Sequence, residues 1–364
     1  MKSDDPEKLL ASWRRPVEPV VRPGEFVIAA AGLQHGHVYD QCRALLRAGA
    51  TLQWAFDEDA SRLAEFLVAF PQARAARSLD EMLDDPTVRL VVAAAVPAER
   101  AAQGCRAMRA GKDYFTDKPP FTSLGQLEEA RRTAAETGRK YLVFFGERLG
   151  SECAVFAGEL IRHGAIGRAI QVLGLGPHRL GPPERRPPWF FRKERYGGIL
   201  CDIGSHQFDA FLHYTGARDA RVVHARAVNL CHPQFPELED FGEAALVGDH
   251  GASLYCRVDW LTPDGLRTFG DGRTIVLGAE GYIELRKFVD IGTERMGNQL
   301  YLVNGAGEKR LALEGRIGAP FFGQLILDVL RRTEHAMTQW HAFKAAELCL
   351  RAQAAADAAG PLPL

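Results

Sequence analysis

Phe26-Val27-Ile28-Ala29-Ala30-Ala31-Gly32-Leu33-Gln34-His35-Gly36-His37 opens with six apolar residues and passes straight into a glycine turn. Such a run suits a strand buried on both faces of a parallel sheet. Val38, Cys42, Leu45 and Leu46 follow at helical spacing, and Gly49 is placed to close that helix in a left-handed cap. Thr51-Leu52-Gln53-Trp54-Ala55-Phe56 predicts a second strand, ending at Asp57. Strand, glycine turn, helix, strand, acidic residue is the order of a dinucleotide-binding unit. The glycines let the backbone approach the pyrophosphate, and the carboxylate bonds the adenosine ribose. Asp57 stands 25 residues after Gly32, near the spacing that role requires. In the frame set by Gly32, Gln34 and His37 occupy the second and third glycine positions, and Gly36 offers a shifted point of close approach. Gly32, Gln34, His35, Gly36, His37 and Asp57 are therefore the candidate cofactor-binding residues.

The alternation continues. Helices are expected over Ala60 to Phe70, Ala98 to Ala110 and Leu124 to Thr137, with strands at Val88 to Ala95, Asp113 to Thr116 and Tyr141 to Phe145. Repeated βα units predict an α/β fold in which residues 26–146 form a doubly wound parallel sheet, a Rossmann domain. Ligands of such sheets sit at the carboxyl ends of the strands, where Pro97, Lys118 and Glu147-Arg148 fall. Lys118 is further stiffened by the two prolines that follow it.

Composition narrows the functional classes. The chain has 364 residues, 25% charged and with a formal net charge of -1, so no global basic field argues for nucleic acid. No apolar stretch approaches the ~20 residues that span a bilayer, and the N-terminus lacks a hydrophobic signal core. Seven scattered cysteines without a CxxC pair imply free thiols in a reducing, cytoplasmic setting. Cys231, His232 and His250 make no spaced ligand set, so no metal site is expected. Residues 1–25 are read as a flexible or surface-hugging arm, 147–320 as a second α/β domain, and 321–364 as closing helices. Later strands are expected at Arg221–Val228, Ala244–Val247, Ser253–Trp260, Thr274–Leu277, Tyr282–Leu285 and Gln299–Val303, with hairpin signals at Gly248–Gly251, Pro263–Gly265 and Asn304–Gly305. An uncovered sheet face there predicts a homodimer or homotetramer.

The second half carries the stretch richest in chemistry, Gly197-Gly198-Ile199-Leu200-Cys201-Asp202-Ile203-Gly204-Ser205-His206-Gln207-Phe208-Asp209. Read as one helix running to about Thr215, it places Asp202, His206 and Asp209 on one face. A carboxylate one turn from an imidazole holds the ring and raises its pKa for proton transfer near neutrality. Upstream, the segment from His178 to Arg195 combines prolines and arginines with Trp189, Phe190 and Phe191. It suits a loop that closes over a substrate, arginines meeting an anion and Trp189 stacking on a sugar.

These residues together resemble the Gfo/Idh/MocA oxidoreductase family. The resemblance rests on the βαβ turn with Asp57, the Asp117-Lys118-Pro119 motif, the strand end Phe145-Gly146-Glu147-Arg148, and Gly197-Gly198 followed by Asp202-x-Gly204-x-His206-x-x-Asp209. It implies a Rossmann domain followed by an α/β domain with an open, largely antiparallel sheet. It also implies that Lys118 and His206 form the acid/base pair, with Asp202 binding a substrate hydroxyl or steering His206 and with Arg148 beside the substrate. The chain departs from the family at Gln34, at Asp117 in place of glutamate, and at Val96-Pro97-Ala98 in place of Thr-Pro-Asn with a nearby histidine. The implied activity is hydride transfer between NAD and a polyhydroxylated small molecule such as a sugar or cyclitol. Asp57-Glu58-Asp59 would repel a 2′-phosphate and so favours NAD over NADP. Two alternatives keep the fold: a cofactor-binding regulator without turnover, and an enzyme whose cofactor cycles internally.

Overall fold

The computed structural model describes residues 6–293 and 295–360; the first five residues of the arm and the last four of the closing segment lie outside the described residues. Two sheets set the architecture. The first collects β1 (Val27–Ala31), β2 (Thr51–Phe56), β3 (Arg74–Ala75), β4 (Val88–Ala93), β5 (Asp113–Asp117) and β6 (Tyr141–Phe144) in the order β3-β2-β1-β4-β5-β6. Every pairing in it is parallel. That order reverses between β1 and β4, which opens a crevice at the carboxyl edge of the sheet. Its helices are α2 (His37–Arg47), α3 (Ala60–Ala69), α4 (Leu79–Asp84), α5 (Pro97–Arg109) and α6 (Leu124–Thr137), preceded by α1 (Pro6–Ser12) in the arm. All five residues of β1 and all five of β5 are buried, as strands covered on both faces must be.

The chain leaves β6 through α7 (Gly146–Leu149) and α8 (Glu152–Arg162) and enters the second sheet at β7 (Ala169–Pro177). Short helices α9 (Lys193–Tyr196) and α10 (Ile199–Asp202) lead into α11 (Ser205–Thr215). Then come β8 (Ala220–Val228), β9 (Phe241–Gly248), β10 (Ser253–Asp259), β11 (Arg273–Gly278), β12 (Gly281–Arg286), the two-residue β13 (Val289–Asp290) and β14 (Arg295–Met296), β15 (Gln299–Asn304) and β16 (Gly307–Ala312). Eight of these strands form one sheet in the order β16-β15-β12-β11-β7-β10-β9-β8. It is antiparallel except where β10 runs alongside β7. The turns at 248–251 and 304–305 are hairpin turns as expected. Pro263–Gly265 is not, because β7 lies between β10 and β11 and the segment crosses over rather than folding back.

One face of this sheet is covered by α8, α11 and α13 (Gln339–Ala359). The other leaves Val223, Val247, Tyr255, Leu277 and Tyr282 exposed. α12 (Phe321–Arg331) returns to the first sheet, where Phe321 and Phe322 pack on Phe115 and Phe144. The arm hugs the surface as a strap. Trp13 donates its indole N–H to the Ile317 carbonyl at 3.0 Å and meets Phe156 edge-on, and the Val20 N–H reaches the Ala48 carbonyl at 2.9 Å. No helix among the described residues is long and apolar enough to cross a membrane.

Candidate active site

The glycine-rich stretch at 197–198 forms neither strand nor simple loop. Gly197 and Gly198 both have positive φ, at 91° and 88°. A Cβ on Gly198 would overlap the Gln353 amide, and one on Gly197 would come within 2.9 Å of Thr122. The close approach expected of these glycines is therefore against α13 and the segment after Pro120. The helix expected to follow is split. The Gly204 N–H reaches back to the Ile199 carbonyl at 3.1 Å while the His206 N–H takes the Ile203 carbonyl at 3.2 Å, so α10 and α11 are offset at Ile203-Gly204. Asp202 turns to another partner as a result. Lys118, at the end of β5, donates to its carboxylate at 2.7 Å.

Lys118, Asp202 and His206 line one cavity of about 540 Å³ between the carboxyl edge of the parallel sheet and the second sheet. That volume suits a small molecule. Pro97, His35 and His37 line it from the first sheet; His178 (just after β7), Trp260 (just after β10), Trp189 and Glu147 line it from the other side. The ion pair crosses the cavity, joining two residues 84 apart in sequence.

His206 corrects the expectation of a raised pKa. Burial, together with Lys118, His178 and Lys287, outweighs the pull of Glu147 and pushes the imidazole down to about 3. His178 is pushed by burial to about 4. Both rings are neutral at pH 7 and act as hydrogen-bond acceptors or proton acceptors, not as standing cations. Burial works to raise the Asp202 carboxyl, but the charge and hydrogen bond of Lys118 lower it. Glu147 behaves similarly: burial is outweighed by Lys287, His206 and His178, which bring it to about 2. The Lys287 ammonium sits against Glu147 Oε2, which also accepts from the Gln207 amide at 2.9 Å. Several buried atoms around the cavity have no hydrogen-bond partner among the described residues, namely His206 Nδ1, Glu147 Oε1, Trp189 Nε1 and Trp260 Nε1. Buried polar groups are ordinarily satisfied, so this concentration marks where polar groups of a ligand could be met.

Several expected site residues have other duties. Arg148 does not reach the cavity. Its guanidinium forks onto Asp209, with both bonds at 2.7 Å, and His341 adds a third at 2.8 Å. Asp209 thus belongs to a buried structural cluster. Asp57 is hidden too. One oxygen accepts the Leu33 N–H at 2.7 Å and the other the Asp59 N–H at 3.0 Å, with Arg62 at 3.4 Å. It braces the glycine turn instead of facing the cavity. Gln34 and Gly36 also stand outside the cavity lining. In the loop at 178–195, Arg179 donates to the carbonyls of Pro263 and Thr268 at 3.0 Å, and Arg186 lies over Phe190 and Trp260 at 4.7 and 5.1 Å. Arg179, Arg186, Trp189 and Phe190 all line the cavity, so the segment borders it as expected, its two arginines being tied to the loop at the same time.

The turn fits a dinucleotide. Gly32 has φ 64°, and a Cβ there would come within 2.8 Å of Ala95, so the tight turn after β1 requires glycine. α2 starts without a side-chain cap at Gly36, and the space beyond Gly36 is open. An uncapped helix N-terminus at a sheet's switch point suits a pyrophosphate. Sequence reasoning had Glu147 inside a strand-end motif and His178 at the start of the aromatic segment without naming either as a site residue, and it missed Lys287, which no motif contains. It also named no metal ligands, whereas the structure draws His35, His37 and Asp117 together, their ligand atoms all within 4.8 Å of one another.

Comparison with known proteins agrees with this layout. A family model described as an oxidoreductase family with an NAD-binding Rossmann fold matches residues 28–145, and the GFO/IDH/MocA C-terminal domain model matches residues 155–284. A crystal structure from Erwinia carotovora atroseptica, named only as an oxidoreductase, is 48% identical and superposes with a TM-score of 0.88, covering 91% of this chain and 99% of that one. Two scyllo-inositol 2-dehydrogenases of Bacillus subtilis, one named for NADP(+) and one for NAD(+), are 26% and 29% identical, over 46% and 56% of this chain. The chain spans about half the length of these two curated relatives, the matches covering 46% and 56% of them.

Proposed function

The chain belongs to the Gfo/Idh/MocA oxidoreductase family, and on that footing we propose that it is an NAD(P)-dependent dehydrogenase acting on a CH–OH group of a sugar, cyclitol or related polyol. The observation that carries the reading is the cavity in which Lys118, Asp202, His206, His178 and Glu147 converge from both sheets. When bound, a nicotinamide supplies the hydride acceptor or donor. The remaining work falls to this chain. The neutral His206 imidazole takes the hydroxyl proton during oxidation and returns it during reduction. The Lys118 ammonium, held in place by Asp202, stabilises the developing alkoxide. Glu147, His178 and the indole N–H groups of Trp189 and Trp260 orient further hydroxyls, and the Trp189 face stacks on the ring. Gly32, Gly36 and the start of α2 would hold the pyrophosphate, with His35, His37 and Pro97 beside the nicotinamide half.

Within this reading NAD is preferred, because Asp57-Glu58-Asp59 carries three carboxylates where a 2′-phosphate would sit; Arg62, paired to Asp57 and Asp59, softens that preference. Equal affinity for NAD and NADP by calorimetry would refute it. A second copy of the chain is proposed as the partner of the exposed sheet face that bears Val223, Tyr255 and Tyr282. Sedimentation at the monomer mass at micromolar protein would remove that proposal. The main test is an absorbance screen at the reduced-nicotinamide band with polyols and keto-sugars, wild type against Lys118→Ala and His206→Ala. Turnover that either variant retains in full overturns the acid/base assignment. Dinucleotide binding with no turnover on any substrate, and no hydride exchange between paired sugars, favours a regulator instead.

A further inference from the structure

His35 and His37 flank Gly36 at the start of α2, and Asp117 closes β5 two strands away in the sheet order. Folding brings these three side chains onto one spot of the cavity wall. His37 Nδ1 lies 2.8 Å from Asp117 Oδ2, and His35 Nδ1 lies 3.8 Å from the same oxygen. Donor atoms bound tetrahedrally at about 2.0–2.1 Å from one ion stand roughly 3.3 Å apart. The two observed separations bracket that value. The His37 main-chain N–H is donated to His35 Nδ1 at 3.2 Å, so this nitrogen is unprotonated, and an ion bound there takes the place of that hydrogen bond. Asp117 is buried, with a side-chain exposure of 1%. A buried carboxylate beside two imidazoles is a common divalent-ion donor set, and it leaves coordination positions open.

We propose that His35, His37 and Asp117 form a binding site for one divalent transition-metal ion of the zinc or cobalt kind, open toward the cavity that holds Lys118 and His206. The neighbouring charges specify what completes it. Arg100 is fully buried, is anchored on the Ala95 and Pro119 carbonyls at 2.8 and 2.9 Å, and stands 3.8 Å from Asp117 Oδ2. With one carboxylate among the protein ligands and a guanidinium close by, the ion's remaining positive charge is balanced by an anionic oxygen, from a carboxylate, phosphate or ionised hydroxyl in the cavity. This site goes beyond the nicotinamide reading and does not depend on it, although it shares His35 and His37 with the residues proposed to stand beside the nicotinamide half.

The test uses the full chain with any affinity tag removed, in a Cys231→Ser background, because Cys231 is exposed beside His232 and offers a competing ligand pair. Protein stripped with a chelator is titrated with Co²⁺ alone, followed by ligand-field absorption and elemental analysis. The expected result is one Co²⁺ per chain, displaced by Zn²⁺. Binding should weaken about 10-fold or more in His37→Gln and in His35→Gln. Both histidines are partly exposed, so near-ultraviolet circular dichroism should show these variants folded. Absence of saturable uptake, or uptake that neither substitution changes, overturns the proposal. Dinucleotide affinity is measured on the stripped protein, so its failure would count against the dehydrogenase reading alone.

Discussion

α11 carries two charged clusters within one turn of each other, and they have opposite characters. Around Asp209 both carboxylate oxygens are engaged: Arg148 forks onto it, His341 adds a third bond, and the carboxyl is held well below its usual range by these neighbours against the pull of burial. Around His206 the neighbours are held but incomplete, with Nδ1 of the ring and Oε1 of Glu147 unpartnered. The first cluster joins α7, α11 and α13 and does not line the central cavity; the second does. Equal burial therefore does not mean equal purpose. A satisfied charge cluster fixes the fold, and an unsatisfied one facing a hollow awaits a ligand.

The contrast can be broken most sharply by substitution. Lys118→Ala and His206→Ala should each lower kcat/KM by about 10²–10⁴; Lys118→Ala also strands the Asp202 carboxylate and lowers the denaturation midpoint, whereas His206→Ala leaves it unchanged or slightly raised by removal of an unpartnered polar group. Arg148→Ala should do the reverse. Leaving Asp209 buried without its main partner costs about 3–5 kcal/mol by urea denaturation, and the fraction that stays folded should keep its KM. If Arg148→Ala instead abolished turnover without loss of stability, the two clusters would not be separable.

Glu147→Gln falls between these cases. It leaves Lys287, 4% exposed, without a counter-charge. A stability loss of about 1–3 kcal/mol is expected, together with slower turnover, since Glu147 also faces the cavity. Stability without any kinetic effect would move Glu147 to the structural group.

Acid titration sharpens the comparison further. His206 and His178 have folded pKa values near 3 and 4, below the ~6.5 of an unfolded histidine. Between those limits the unfolded chain binds more protons, so stability rises with pH and is lost as pH falls from about 6.5. His206→Gln should reduce that slope by about one proton between pH 6 and pH 4.5. In the wild type Asp209 adds nothing to the slope there, because its lowered carboxyl loses its contribution only at more acidic pH, below the unfolded value of ~3.9. An unchanged slope in His206→Gln would mean that the ring is not desolvated as described. The smallest effect is expected for Trp189→Phe, which removes one unpartnered N–H but keeps an aromatic face. KM for a polyol should rise several-fold with kcat nearly unchanged.

Much of the fold was legible from residue order. The six-residue apolar run at 26–31, the strand at Thr51–Phe56 and the helix at Leu124–Thr137 appear where periodicity placed them, because strand and helix spacing are local properties. Lys118, Asp202 and His206 could be named because their motifs are contiguous. The assignment of Arg148 to the substrate failed for a physical reason: its partner Asp209 lies 61 residues away, and only packing of α7 against α11 pairs them. Nor could residue order show that Asp57, expected to bond a ribose, also accepts the Leu33 amide 24 residues before it.

By itself, then, the sequence determined the alternation of strands and helices, the glycine that must turn at position 32, and the two short motifs whose residues line the cavity. The tertiary structure alone decided which charges would be neutralised by one another and which would be left facing a hollow. It set Lys287 against Glu147 across 140 residues and His37 against Asp117 across 80. Backbone conformation follows from neighbours along the chain, whereas the fate of a buried charge depends on which distant group arrives beside it when water is expelled.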